Sequence, residues 1–262
     1  MWAVWDDEAV AERPVERIVP DGCPELILHL GDPFARRDEQ GGWLKQPRAF
    51  VAGTLTRPWG LRPGERPKTL GVRFRPGAAR CVLGAPLDEI ADRETALEDL
   101  WGAGGTELLE AAGGAPDLDD ALRAAESWTE RRLSRRPGRQ PEVRPAVDLI
   151  LASRGRMRIA DAARGLGWSR RRLERAFLRD VGVSPKRFAR IVRLNAVLAS
   201  LGGGEKESAV EMALEAGYFD QAHLLKDFRA LAGATPRHLG GGGALSRQLL
   251  RPERLRALLE PE

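Results

Sequence analysis

Apolar residues in the C-terminal half of the chain recur at helical spacing, and the pattern occurs twice. Leu173 and Phe177 lie four positions apart, as do Leu224 and Phe228. Residues at i and i+4 share one face of a helix, so each pair predicts a helix with one buried side. The pattern fits two helix-turn-helix units. Four pairs of matching residues lie 51 positions apart: Leu173 and Leu224, Phe177 and Phe228, Gly182 and Gly233, and Pro185 and Pro236.

Polar and special residues mark the ends of these helices. Gly167 and Gly217 suit the left-handed turn before each second helix. Ser169 and Asp220 can each accept a hydrogen bond from the free N–H groups of the following helix, which predicts an N-cap. A long helix is expected from Pro185 to Leu201, between the two units.

The N-terminal half has short apolar runs bounded by Gly and Pro, which is typical of strands. Strands are predicted at Glu25–Leu30, Phe50–Leu55 and Thr69–Phe74, with a loop or hairpin over 31–48 and a Pro/Gly-rich connection over 57–67. Helices are predicted over Ala78–Leu83, around 95–111 and over 118–135. The fold class is α+β: a small β-barrel or cupin-like domain with helices, then an all-α domain of two helix-turn-helix units joined by a long helix.

Composition places the domain boundary between these halves. Residues 135–141 are rich in Arg, Pro and Gly, which is typical of a linker between parts that fold separately. We predict an N-terminal domain over 1–136, a linker over 137–143, a helical domain over 144–239 and a flexible or docking tail over 240–262.

Charge separates the parts further. Residues 144–200 carry 14 Arg and Lys against 4 Asp and Glu, a net of +10, whereas 201–239 carry 4 against 6, a net of −2. Residues 1–135 carry 18 basic against 24 acidic side chains. A positive field concentrated on the first unit is expected of a protein that binds phosphates. Two alternatives remain: the arginines form a merely solvated face, or the helical repeat has no role at DNA.

Other chemistry finds little support in the sequence. Cys23 and Cys81 are the two cysteines, their role is open, and no Cys/His cluster has the spacing of a metal site. The triplet Gly202-Gly203-Gly204 is followed by Glu205 rather than by a phosphate-binding Lys. We therefore expect no enzyme, no cofactor, no metal, no membrane span and a cytoplasmic location. The alternative is an enzyme whose small β-domain is tethered to nucleic acid by the helical half.

The double pattern resembles the DNA-binding domain of AraC/XylS-type bacterial transcription regulators. The resemblance covers about Arg144 to Leu239, and its most specific part is the run Gly217–Phe228 followed by Gly233-Ala234-Thr235-Pro236. Leu224 and Lys226 stand where the family usually has Phe and Arg. The linker helix also matches, at Pro185, Phe188, Arg193 and Leu194. The resemblance implies a sequence-specific regulator whose partner is double-stranded DNA, with RNA polymerase as a further partner to consider.

The N-terminal half is similar to a domain of unknown function that precedes this DNA-binding unit in many bacterial regulators. The similarity lies in Pro20-Asp21-Gly22-Cys23 and in the run Gly71–Ala78. It implies a sensor or dimerisation role, and therefore an unidentified small-molecule effector or a homodimer.

The resemblance also assigns DNA contacts to both units. In the first unit, Arg171, Glu174 and Arg175 are candidates for base edges, because Arg can bridge guanine and Glu can accept from cytosine. Ser169, Arg170 and Arg172 are nearer to phosphates. In the second unit, Gln221, Ala222 and Lys226 are the base-facing positions and His223 is a phosphate candidate, with the alternative that this acidic copy only packs.

Overall fold

The computed structural model describes residues 2–5, 15–134, 142–201 and 216–235. In its N-terminal part, nine strands form two antiparallel sheets. The strands are β1 Trp2–Trp5, β2 Glu16–Ile18, β3 Glu25–His29, β4 Ala35–Arg37, β5 Trp43–Lys45, β6 Ala49–Ala52, β7 Trp59–Arg62, β8 Lys68–Arg73 and β9 Glu94–Ala96.

Sheet I has the order β1-β8-β3-β6-β9, and sheet II has the order β2-β7-β4-β5. The three predicted strands are confirmed as β3, β6 and β8, and the 31–48 segment contains the hairpin of β4 and β5. Two strands differ from expectation. β7 lies inside the Pro/Gly-rich connection, and β9 occupies the start of the run expected to be helical from 95. Both are short, and pairing with neighbouring strands fixes them rather than a local pattern.

Successive side chains of sheet I point to opposite faces, and both faces are buried. Leu26 and Leu28 belong to the core shared with the helices that follow β8. Ile27 packs with Phe50 and with Trp59 of sheet II, in a smaller cluster between the two sheets. This double burial explains why β3 reads as a nearly continuous apolar run.

Four helices and one 3-10 turn follow β8, with β9 between the turn and α2: α1 Ala79–Leu83, the turn Leu87–Glu89, α2 Leu97–Trp101, α3 Ala103–Gly113 and α4 Leu118–Ser134. The predicted helix around 95–111 is interrupted at Gly102, whose φ of +56° ends α2. Trp101 and Trp128 pack against each other, with 4.6 Å between ring centroids.

Five helices make up the described C-terminal part: α5 Arg144–Ala152, α6 Ile159–Gly165, α7 Arg170–Val181, α8 Pro185–Leu201 and α9 Gln221–Ala232. The first helix-turn-helix unit is α6 and α7, and α8 is the predicted long helix. The helix expected to precede α9 lies outside the described residues, as do 135–141, Pro236 and the tail 240–262.

The two parts of the chain contact each other directly. Thr54 donates a hydrogen bond of 2.5 Å from Oγ1 to the carbonyl of Val181, at the end of α7. Asn195 of α8 donates to the carbonyl of Pro20 at 2.9 Å. Gly22 lies so close to the Phe188 ring that a Cβ there would be 2.6 Å from it. The two parts on either side of the predicted boundary at 135–141 are therefore in contact.

Candidate nucleic-acid interface

Local sequence fixes where α7 begins and ends. Ser169 has extended backbone angles, and its side chain accepts a hydrogen bond of 3.2 Å from the N–H of Arg172. This confirms the predicted N-cap. Gly182 ends the helix at a φ of +87°, and a Cβ there would lie 2.9 Å from the carbonyl oxygen of Leu87. Glycine is thus required at this helix end both for conformation and for space.

The buried face of α7 determines which side chains face solvent. Leu173 and Phe177 are fully buried, and the ring of Phe177 packs on Phe188 of α8 at 5.7 Å between centroids. Burial of these two large side chains fixes the rotation of the helix about its axis. Arg171 and Arg175, on the other side, are exposed.

The arginines of α7 differ in whether a carboxylate already neutralises them. Arg170 pairs with Glu174 at 3.1 Å. Arg172 pairs with Glu142, and its guanidinium lies 4.7 Å above the Trp168 ring. The hydrogen bond from Arg172 lowers the pKa of Glu142 below its usual value.

Arg171 and Arg175 have no ion pair or hydrogen bond within the residues that the structure describes. Their four-residue spacing places them on one exposed face of α7. Of the base-edge candidates in the described part of this helix, these two arginines have no carboxylate that neutralises their charge.

The second unit repeats the capping and burial pattern. The carboxylate of Asp220 accepts a hydrogen bond of 2.7 Å from the N–H of His223, so the predicted N-cap is confirmed. Leu224 and Phe228 are fully buried. The remaining predicted contact residues on this helix are all exposed: Gln221, Ala222, His223 and Lys226.

Helix α8 holds the two units against each other. Arg190 donates to the buried carboxylate of Asp227 in α9 at 2.6 Å. Arg193 donates to the carbonyl of Gly155, before α6, at 2.9 Å, and its guanidinium lies 5.1 Å above the Tyr218 ring. These contacts fix the relative position of α7 and α9.

Phe219 is not among the contacts that the sequence predicts. Its side chain is 89% exposed and stands directly before the cap of α9, beside the predicted contact residues. An aromatic side chain at that place can pack against sugar or a thymine methyl group. The Gly-Tyr-Phe-Asp run is visible in the sequence, and the fold buries Tyr218 while it leaves Phe219 at the surface.

A cavity of about 80 Å³ lies between the two sheets. His29, in its wall, is bonded through Nδ1 to Thr69 at 2.8 Å and through Nε2 to Gln46 at 3.2 Å. Burial lowers the pKa of His29 to about 4, and burial raises the pKa of the Cys23 thiol to about 12. Neither group is therefore set up for nucleophilic or acid–base work near neutral pH.

The described residues contain no group of three or more His, Cys, Asp or Glu side chains able to hold a metal ion. None of their helices combines the length and the apolar character needed to span a bilayer.

The two halves of the chain match different families. Residues 162–240 match the family described as Helix-turn-helix domain. Residues 1–96 match Domain of unknown function (DUF6597). The chain carries an AraC-type helix-turn-helix domain. This domain makes the chain a DNA-binding transcription regulator, with DNA as its partner.

Solved structures resemble the whole chain only distantly. ToxT from Vibrio cholerae with a bound unsaturated fatty acid is 11% identical, with a TM-score of 0.46, over 91% of this chain and 93% of that chain. ToxT bound to (E)-4-(8-methylnaphthalen-1-yl)but-3-enoic acid is 10% identical, with a TM-score of 0.45, over 91% and 93%. No curated protein matches the sequence.

Proposed function

We propose that this regulator recognises one asymmetric DNA site with a single chain, in which α7 supplies most of the affinity and α9 reads a second element. The observation that carries the proposal is the pair Arg171 and Arg175, exposed and unpartnered among the described residues. The buried residues Leu173 and Phe177 turn that pair outward. Guanidinium groups so presented suit bidentate contact with guanine in the major groove.

The other proposed contacts surround this pair. Ser169, Arg170 and Arg172 lie at the start of α7, where phosphate contacts position a recognition helix. Glu174 is proposed to accept from cytosine once Arg170 turns to a phosphate. On α9 we propose Gln221, Ala222 and Lys226 for bases and His223 for phosphate.

The first experiment is a gel-shift titration of the Arg171→Ala, Arg175→Ala double variant on its operator. We expect binding to weaken by about 2–6 kcal/mol, because two bidentate base contacts are lost. The matched control is Arg123→Ala with Arg131→Ala, two exposed arginines on α4, which should leave binding unchanged. A loss below about 0.5 kcal/mol in the α7 variant, well under one such contact, would show that α7 does not read bases.

We further propose that residues 1–136 control residues 144–239. Support comes from β2, which touches both the cavity and the second unit. Glu16 and Ile18 line the cavity. Arg17, between them in sequence, donates at 2.9 Å to the carbonyl of Gly233, where α9 ends. A small molecule in the cavity would thus press on the strand that holds the end of α9.

The remaining partners follow from the same role. RNA polymerase is a partner to be tested at the bound promoter, and a second copy of this chain is a partner to be tested on palindromic DNA. We propose the bacterial cytoplasm as the compartment, because the DNA that the protein binds is there.

A further inference from the structure

We infer that the cavity between the two sheets binds a small organic cation, namely an amine with an apolar body and one hydrogen-bond acceptor. The inference rests on the proposed function in one respect, which is that the occupant acts as the effector of the regulator. Binding itself does not depend on DNA.

The charge of the cavity wall selects the sign of the ligand. Arg73 lies between two carboxylates, donating to Glu25 at 2.8 Å and to Asp21. One guanidinium thus faces two carboxylates, and the wall carries surplus negative charge. A carboxylate ligand would be repelled here, whereas an ammonium group would be attracted.

The other polar groups of the wall do not reverse this sign. His29 is neutral near pH 7, because burial lowers its pKa to about 4. Its two ring nitrogens are already bonded to Thr69 and Gln46. Cys23 remains a thiol at neutral pH. Among the described lining residues Arg73 is the one cationic side chain, and its two carboxylate partners outnumber it. Of the arginines outside the lining, Arg36 stacks on Trp59 and is paired with Glu94, and Arg48 acts on His29.

A buried donor without a partner points to a ligand independently. Trp59 is 5% exposed and lines the cavity, and its Nε1 has no hydrogen-bond partner in the described part of the chain. Buried N–H groups are rarely left unpaired, because the desolvation cost is not offset. An acceptor atom on an occupant that reaches this edge of the indole would satisfy the N–H.

Size and lining define the rest of the ligand. A cavity of about 80 Å³ is several times the roughly 10–15 Å³ needed to admit a single water, so it admits a small organic molecule. Much of its lining is apolar, which favours an aromatic or branched aliphatic body. The apolar lining residues include Ile18, Ile27, Phe34, Leu55 and Leu61.

Isothermal titration of the full chain without DNA tests the sign of the charge. Three probes of nearly equal size are used: 2-phenylethylamine, 2-phenylethanol and phenylacetate. We expect the amine to bind about tenfold more tightly than the alcohol, as expected of one charge-assisted contact, and the acid not to bind. Binding of the acid as tight as that of the amine would overturn the inference, and so would the absence of binding by the amine at millimolar concentration.

Two variants locate the binding in the cavity. Asp21→Asn removes one charge but keeps an oxygen to accept the N–H of Cys23, a bond of 2.9 Å. Glu25→Gln is the second variant, so that misfolding of one does not decide the result. Each should weaken amine binding about tenfold, whereas the control Asp119→Asn, exposed on α4, should not. Unchanged binding in both folded variants would place the amine elsewhere and overturn the inference.

A third arm tests the indole donor with tyramine, which adds a hydroxyl to 2-phenylethylamine. We expect tyramine to bind several-fold more tightly than 2-phenylethylamine to the native protein, and Trp59→Phe to abolish that advantage. An equal advantage in both proteins would contradict the assignment of Trp59.

Failure here is distinguishable from failure of the proposed function. The Arg171→Ala, Arg175→Ala variant should keep its amine binding while it loses DNA. Amine binding with intact DNA binding in that variant would overturn only the role of α7. Loss of DNA binding in that variant, with no amine binding by the native protein, would overturn only the assignment of the cavity ligand.

Discussion

At the scale of single residues, the arginines of α7 fall into a paired and an unpaired set. Arg170 and Arg172 are held by Glu174 and Glu142, on the exposed side of the helix. Exposed ion pairs of this kind are worth about 0–1 kcal/mol, so either arginine can turn to a phosphate at little cost. Arg171 and Arg175 have no carboxylate partner to leave, so their full charge is available for contacts with bases.

For α9, we predict that Gln221→Ala and Lys226→Ala have different effects. Gln221→Ala should relax base preference at one position, because a Gln amide reads adenine by paired hydrogen bonds. If Lys226 binds a phosphate, Lys226→Ala should weaken all sites alike and reduce the salt slope by about one unit. Selection on random DNA and titration at several salt concentrations measure both effects. Unchanged motif and slope in both variants would mean that α9 only packs.

His29 leads to a prediction about stability and pH. Its pKa is about 4 in the folded chain, against an ordinary value of 6.5. A depressed folded pKa means that protonation favours the unfolded chain, so stability is complete above pH 6.5 and falls as the pH drops toward 4. By this linkage the group contributes a loss of about 2 kcal/mol between pH 7 and pH 5.

Urea unfolding of the native protein and of His29→Gln at both pH values measures this contribution. The native protein should lose about 2 kcal/mol more than the variant on going from pH 7 to pH 5. Because all other titrating groups are common to both proteins, the difference isolates His29. An equal loss in the two proteins would show that His29 is not held neutral by burial.

At the scale of elements, the sequence predicted the helices of the first unit better than the small strands. The helix ends are local signals. The caps Ser169 and Asp220 each accept a hydrogen bond from an N–H three residues later, and Gly182 ends its helix through its own positive φ. β7 and β9 have no such signal. Trp59 and Leu61 of β7 alternate toward the cavity, but Pro and Gly around them hide the pattern.

Strand β2 is the element through which we expect control to pass. Arg17→Gln removes the cation that holds the last carbonyls of α9, the C-terminal end that a positive charge stabilises. We predict that footprints of this variant keep protection by α7 but lose part of the protection by α9. Arg37→Gln, an exposed arginine of β4 in the same sheet, is the control and should protect both elements. Uniform weakening of both elements by Arg17→Gln would contradict this role.

At the scale of the whole molecule, α8 sets the distance between the two reading helices. Arg190 and Arg193 of α8 attach it to the second unit, and Arg193 also attaches it to the first. We predict that one full-length chain protects two unlike elements about 34 Å apart on one face of DNA. Footprinting combined with light scattering of the complex measures this. Protection of a palindrome by two chains would instead identify a homodimer as the binding unit.

Contacts between the halves of the chain could not be predicted from the sequence. Thr54 and Asn195 carry no periodic or motif signal, and Gly22 lies in the Pro20–Cys23 run, which does not reveal what packs against it. Their partners lie 127 or more positions away. The proposed site residues are different, because their type and order within one helix are sufficient to suggest them.

Asn195, fully enclosed between its own helix and Pro20, has a consequence for protein engineering. Its side-chain amide donates a hydrogen bond to the Pro20 carbonyl. The Phe188 ring packs so close to Gly22 that a side chain at position 22 would clash with it. A chimera that joins this helical half to the sensor half of a relative would have to reproduce both fits. Grafting at the 135–141 segment alone is therefore insufficient, and working hybrids should require residues 20–22 and α8 to be transferred together.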